Sequence, residues 1–233
     1  VLGSAAAAWL GPPLVHRWWQ RARINRTLKA QPSIALTYDD GPGAILTPRV
    51  LHLLRAADAP ATFFILGRRA REKPKVVQMV RDAGHELGTH SSTHLNAWKT
   101  ILPWRAVGDL AADGWAFPVV GHVPRLVRPP GGKMTLATWL ACVGRGRRIA
   151  WWTFDSGDTW KTPPDPVAMA RAVIQAGGGV VLIHDFDREG HADQQARQEY
   201  VLAVTREILD AGRQAGVRFC RYSELCGCKE GER

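Results

Sequence analysis

Seven short runs rich in β-branched and aromatic residues, separated by stretches with apolar residues at helical spacing, restrict the folds open to this chain. They are SIALTY (33–38), TFFIL (62–66), HELGT (85–89), RLV (125–127), IAWWTF (149–154), VVLI (180–183) and VRFCR (217–221). Such alternation predicts βα units and a parallel sheet. Thr47 before Pro48 and Asp165 before Pro166 read as helix starts, and Gly84 and Gly177 as helix stops. The 233 residues carry no low-complexity linker and no fixed-period repeat. The chain therefore reads as one α/β domain over residues 31–233, preceded by a basic and apolar segment over residues 1–30.

The reactive residues fall at one kind of place. Asp39 and Asp40 follow the first run, His90 the third, Arg128 the fourth, Asp155 the fifth and His184 the sixth. In a barrel of parallel strands the carboxyl ends converge on one face, where barrel enzymes keep their chemistry. The adjacent aspartates of ALTYDDGPG repel each other unless they share a cation, and successive residues at a strand end point in different directions. One can then ligate while the other works as a base. His90 and His94, four apart in GTHSSTH, suit either one face of a helical turn or a loop wrapped around a metal. Two histidines and one aspartate leave a coordination position for water, the arrangement of a catalytic zinc site. Arg128 stands before two prolines that fix an extended backbone, followed by glycines that admit a ligand closely.

The stretches TYDDGP, HSSTH, RPP, DSGDTW and LIHD, in this order and at these intervals, resemble the five motifs of the polysaccharide deacetylase family, the NodB-homology domain of carbohydrate esterase family 4. The resemblance runs from about residue 33 to residue 225. It implies a distorted (β/α)7-8 barrel and metal-dependent removal of an acyl group, usually acetyl, from an amino sugar. It also implies Asp40, His90 and His94 as ligands of a divalent metal, with Zn2+ the expected ion. Asp39 is then the general base, Arg128 its orienting partner, His184 the general acid and Asp155 the partner of His184. Gly131 would offer a backbone N–H to the oxyanion, and Trp160 and Leu182 would wall the acyl pocket. Two departures point to an altered groove: Gly131 stands where the family usually has an aromatic, and Thr159 separates Asp158 from Trp160.

The net charge of +10 and pI near 10.0 predict an anionic partner. No zinc-finger or RNP signature is present, so nucleic acid is not expected. An acetylated cell-envelope glycan fits better: peptidoglycan, a chitin-like oligosaccharide or a lipid-linked amino sugar. The last would make the chain a deacylase of a lipid-linked substrate, and a non-catalytic glycan-binding module is the alternative from another class. Ten tryptophans against three tyrosines add sugar-stacking candidates. The opening VLGSAAAAWLGPPLV, 15 mostly apolar residues, is shorter than a bilayer span. It reads as a signal or anchor remnant or as a packed helix, and the basic, Trp-containing stretch after it suits a membrane surface. A cell-envelope or secreted location follows. Cys142, Cys220, Cys226 and Cys228 form no CxxC pair, and buried thiols are expected rather than a soft-metal site.

Overall fold

The computed structural model describes residues 2–100, 102–112, 121 and 123–227, with side chains from residue 9 onward. Among the described residues eight strands, all parallel, form one curled sheet in the order β5-β4-β3-β2-β1-β7-β6, with β8 also on β1. They are β1 (Ser33–Asp39), β2 (Ala61–Ile65), β3 (Glu86–Thr89), β4 (Leu126–Val127), β5 (Arg148–Ile149), β6 (Phe154–Asp155), β7 (Gly178–His184) and β8 (Arg218–Phe219). Strand β8 pairs Ser33 and Ile34, ahead of the residues of β1 that pair β2. This is the distorted barrel that the resemblance implies.

The run 149–154 is not one strand. Its start pairs β4 as β5 and its end pairs β7 as β6, so residues 150–153 carry the chain from one border of the sheet to the other without a helix. Ala150 N–H donates to Val127 and Thr153 N–H to Val180. A short bridge thus closes the curl where a regular barrel would have a helical crossover.

Period-two alternation sorts the residues of β1. Ile34, Leu36 and Tyr38 face outward into a core shared with α2 (Leu46–Ala56), α3 (Pro74–Asp82), α4 (Pro166–Gln175) and α5 (Gln194–Gln214). Ala35 faces inward with Phe64, Leu126, Ala150 and Val180. Above Ala35 on the same face come Thr37 and Asp39, both bonded to Arg128.

The floor of the barrel is filled by α1 (Leu2–Ala30). Its Ile24 and Leu28 pack against Ala35, Val180, Cys220 and Tyr222. Gln20, buried, donates to Ile149 O and accepts from Trp151 N–H and the Tyr222 hydroxyl, tying α1 to the closing bridge. Arg17 lies over the rings of Trp151 and Trp152. Among the described residues no helix is long and apolar enough to cross a membrane.

The Asp165 carboxylate accepts Ala168 N–H at the start of α4, as its sequence position predicts. Thr47 does not cap α2. That helix begins at Leu46, and the buried Asp187 carboxylate, from the loop after β7, accepts the Ile45 and Leu46 N–H groups instead. Thr47 turns inward to accept Gly43 N–H and donate to Asp185. Cys142, Cys220 and Cys226 are buried, and burial pushes the Cys220 thiol up to about 12, away from the thiolate a soft metal needs. Cys228 lies outside the described residues.

Candidate metal-dependent active site

Strand β1 ends at Asp39, and the chain leaves it through Asp40 in a left-handed conformation (φ 66°), which aspartate tolerates better than most residues. This turn separates the two carboxylates. Asp39 stays inside the barrel mouth and Asp40 swings toward the histidines. Gly41 is needed here because a Cβ would overlap the Asp185 carboxylate.

Asp40, His90 and His94 each offer a ligand atom, and the three atoms lie within 4.8 Å of one another. Both imidazole Nε2 atoms stand 3.5 Å from Asp40 Oδ1. His90 follows β3 and is buried, with Nδ1 2.9 Å from Arg128 O. A carbonyl only accepts, so Nδ1 carries the hydrogen and Nε2 presents its lone pair to the cluster. Burial holds the His90 ring neutral, with its pKa lowered to about 3 despite the Asp40 charge. His94 is reached by a loop rather than a helical turn. Ser91 and His94 both have positive φ, and Ser91 Oγ accepts His94 N–H. The Asp109 carboxylate pins the loop through Thr93 and Leu95 N–H.

The residues present fit a divalent metal. Asp40 Oδ1 is buried with no hydrogen-bond partner, a costly state for a carboxylate oxygen unless a cation completes it. Two imidazoles and one carboxylate make a donor set for a first-row ion.

Beneath the cluster, fully buried Arg128 donates to Asp39 Oδ1 at 2.8 Å and to Thr37 Oγ1 at 2.7 Å, with its guanidinium 4.0 Å from the Phe64 ring centroid. Burial raises the Asp39 carboxyl above the usual range, and the Arg128 charge opposes that rise. The pair leaves Asp39 Oδ2 on the side of His90, 3.8 Å from its Nε2.

The partner of His184 is Asp158 and not Asp155. Nδ1 lies 3.0 and 3.2 Å from the two Asp158 oxygens. Asp155 ends β6 opposite Leu182 and uses Oδ1 to accept Gly157 N–H. The chain then reverses through Gly157 (φ 72°) and brings Asp158 back to the imidazole. Burial would lower the His184 pKa, but Asp158, with Asp40 and Asp39 behind it, holds it up at about 9. Ser156 Oγ donates to Asp158, and Arg197 braces the loop through the carbonyls of Asp158 and Trp160.

Pro130–Gly132 forms a 3-10 turn in which Gly131 takes a positive φ of 56°. Leu182 is buried, whereas the Trp160 indole packs over Gly157 with half its surface exposed. Sequence reasoning missed Asp158, Thr37, Asp109 and Arg197. For Asp158 a signal existed, since DSGDTW holds two aspartates and its glycine permits a reversal.

The family model described as polysaccharide deacetylase matches residues 27–146. A peptidoglycan-N-acetylglucosamine deacetylase of Bacillus cereus is 34% identical over 195 residues, covering 82% of this chain and 87% of its own. A chitooligosaccharide deacetylase of Sinorhizobium fredii is 30% identical over 192 residues, covering 79% of this chain and 88% of its own. The crystal structure of the peptidoglycan N-acetylglucosamine deacetylase Bc1960 superposes with a TM-score of 0.76 at 23% identity, covering 87% of this chain and 91% of that one. That likeness concerns the fold.

Proposed function

The chain belongs to the polysaccharide deacetylase family, and from that premise we propose that it hydrolyses N-acetyl groups from the amino sugars of an acetylated cell-envelope glycan, peptidoglycan or a chitin-like oligosaccharide. The observation that carries this reading is the Asp40, His90 and His94 cluster set beside the buried Asp39–Arg128 pair at the barrel mouth.

Asp40, His90 and His94 would hold the metal, with Zn2+ the expected ion, which supplies a Lewis acid for the amide carbonyl and lowers the pKa of water to about 7. Asp39 is the base: its Oδ1 is occupied by Arg128, so Oδ2 takes the proton from the attacking water. Arg128 fixes the rotamer of Asp39 and favours its charged form. The Gly131 N–H assists at the carbonyl oxygen as charge develops there. His184, held protonated by Asp158, delivers a proton to the departing amine. Leu182 and Trp160 wall the space for the acyl methyl. Family likeness to proteins named for peptidoglycan and chitooligosaccharides supports the substrate class.

Acetate release by chelated and zinc-restored protein, measured in parallel on N-acetylated chitooligosaccharides, peptidoglycan and acetylated xylan, tests the reading. Release that returns with zinc on an N-acetylated glycan is expected. Equal release with and without metal, or release from xylan alone, overturns it.

A second surface favours an envelope location. Leu14, Val15, Trp18 and Trp19 recur at helical spacing along the outer side of α1, with Trp18 71% exposed, and Arg21, Arg26 and Lys29 continue toward its end. Exposed indoles followed by cations suit an anionic lipid surface. Co-sedimentation with phosphatidylglycerol vesicles is expected to fall for a Trp18→Ala, Trp19→Ala variant. Equal binding by both proteins removes the proposal.

A further inference from the structure

Pro42 and Phe186 help line an open pocket of about 500 Å³. It is of the size that takes a sugar ring or its substituent. Arg68, Arg69, Lys73 and Arg188 line it. The Arg69 guanidinium donates to Asp40 O at 2.6 Å and lies 4.6 Å from the Phe186 ring centroid, with Arg188 5.3 Å from the same centroid. One wall of the pocket is therefore bonded to the backbone of a metal-cluster residue. The Phe186 ring stands edge-on to His184, with centroids 6.2 Å apart.

Four cationic side chains of the lining stand against three acidic ones, Glu72, Asp187 and Glu189, and Asp187 is turned to other partners. Asp187 is buried and spends both oxygens on the start of α2 and on Gln198. Glu72 makes two loose contacts, 3.9 Å to Arg68 and 3.8 Å to Lys73, on an exposed side. Glu189 and His191, also in the lining, are exposed. The surplus is cationic, and guanidinium groups held in place by an aromatic ring and a backbone carbonyl are preorganised for a planar or tetrahedral oxyanion.

We propose that this pocket seats an anionic substituent, a carboxylate or a phosphate, on the sugar next to the one that loses its acetyl group. The inference rests on the deacetylase reading above and deepens it: the preferred substrate is an acidic glycan, and Lys73 and Arg188 are specificity-determining residues.

The test compares zinc-loaded wild type with a Lys73→Gln, Arg188→Gln variant on three substrates of similar length. These are neutral N-acetylated chitopentaose, 6-phosphorylated N-acetylated chitopentaose, and peptidoglycan glycan strands stripped of peptides and bearing free lactyl carboxylates. In wild type, kcat/KM on at least one charged substrate exceeds that on the neutral one. In the variant this ratio falls about tenfold, chiefly through KM, and in wild type it also falls as salt is raised. Which charged substrate shows the preference separates carboxylate from phosphate. Activity on the neutral substrate shows that each preparation is folded and metal-competent. An unchanged ratio in the variant, with neutral turnover present, overturns the pocket assignment alone. No zinc-dependent release by wild type from any of the three overturns the deacetylase reading, and the pocket assignment falls with it.

Discussion

His184 Nδ1 sits between the two carboxylate oxygens of Asp158, 3.0 and 3.2 Å away, so the ring has Nε2 left for any transfer to substrate. The pairing makes His184 an acid that is still charged at neutral pH, with a pKa near 9. Activity should therefore fall on the alkaline side as pH passes about 9. In Asp158→Asn that limb moves to lower pH and kcat drops about 10²-fold, whereas Asp155→Asn, whose Oδ1 accepts Gly157 N–H, leaves the limb in place. The same shift carries a stability term of definite sign. The folded pKa lies above the ordinary 6.5, so the contribution is complete below 6.5 and is lost as pH rises through about 9. pH–rate profiles and unfolding midpoints between pH 6 and 10 check both.

Asp39 and the metal cluster are separable. Asp39→Asn should keep its metal and lose about 10²- to 10⁴-fold in turnover, because Asp40, His90 and His94 are untouched. His94→Ala should lose metal and turnover together. Metal content by elemental analysis alongside acetate release decides the matter, and near-normal turnover in Asp39→Asn would remove it as the base.

Arg128 is fully buried with Asp39 as its counter-ion. Arg128→Met should destabilise by about 3–5 kcal/mol because it strands a buried carboxylate. Adding Asp39→Asn should recover part of that loss although turnover stays low in both proteins. Denaturant midpoints of the two singles and the double form the cycle that measures the coupling.

Two residues of α1 should behave differently. Ile24, buried in the barrel floor, should cost about 2–5 kcal/mol as Ile24→Ala. Trp18→Ala should stay within about 0.5 kcal/mol. Equal losses in a denaturant series would contradict the packing of this helix.

Much of the site's placement was legible because most of the reactive residues stand at or just past the carboxyl end of a strand, and those ends converge in a parallel barrel. Asp39, Asp40, His90, His94, Arg128 and His184 do meet at one mouth. What linear order does not reveal is a reversal within a few residues. The choice between Asp155 and Asp158 depends on the turn at Gly157, where both aspartates follow the same apolar run. The run 149–154 misleads in a similar way: its composition is that of a strand, but its two ends pair different neighbours and its middle bridges them. Thr47 looks like a cap by local preference, yet Asp187, distant in sequence, reaches the same helix start. In each case a tertiary contact outcompetes a local preference, which local patterning cannot register.

The helix that fills the floor leaves the mouth at the opposite end of β1, about 20 Å away along its seven residues at the rise of a strand. Because Gln20 bonds α1 to the bridge that closes the curl, helix and mouth keep one spacing. A surface that holds the outer side of α1 would therefore also set the working height of the enzyme, and the glycan trimmed would be the layer lying at that reach.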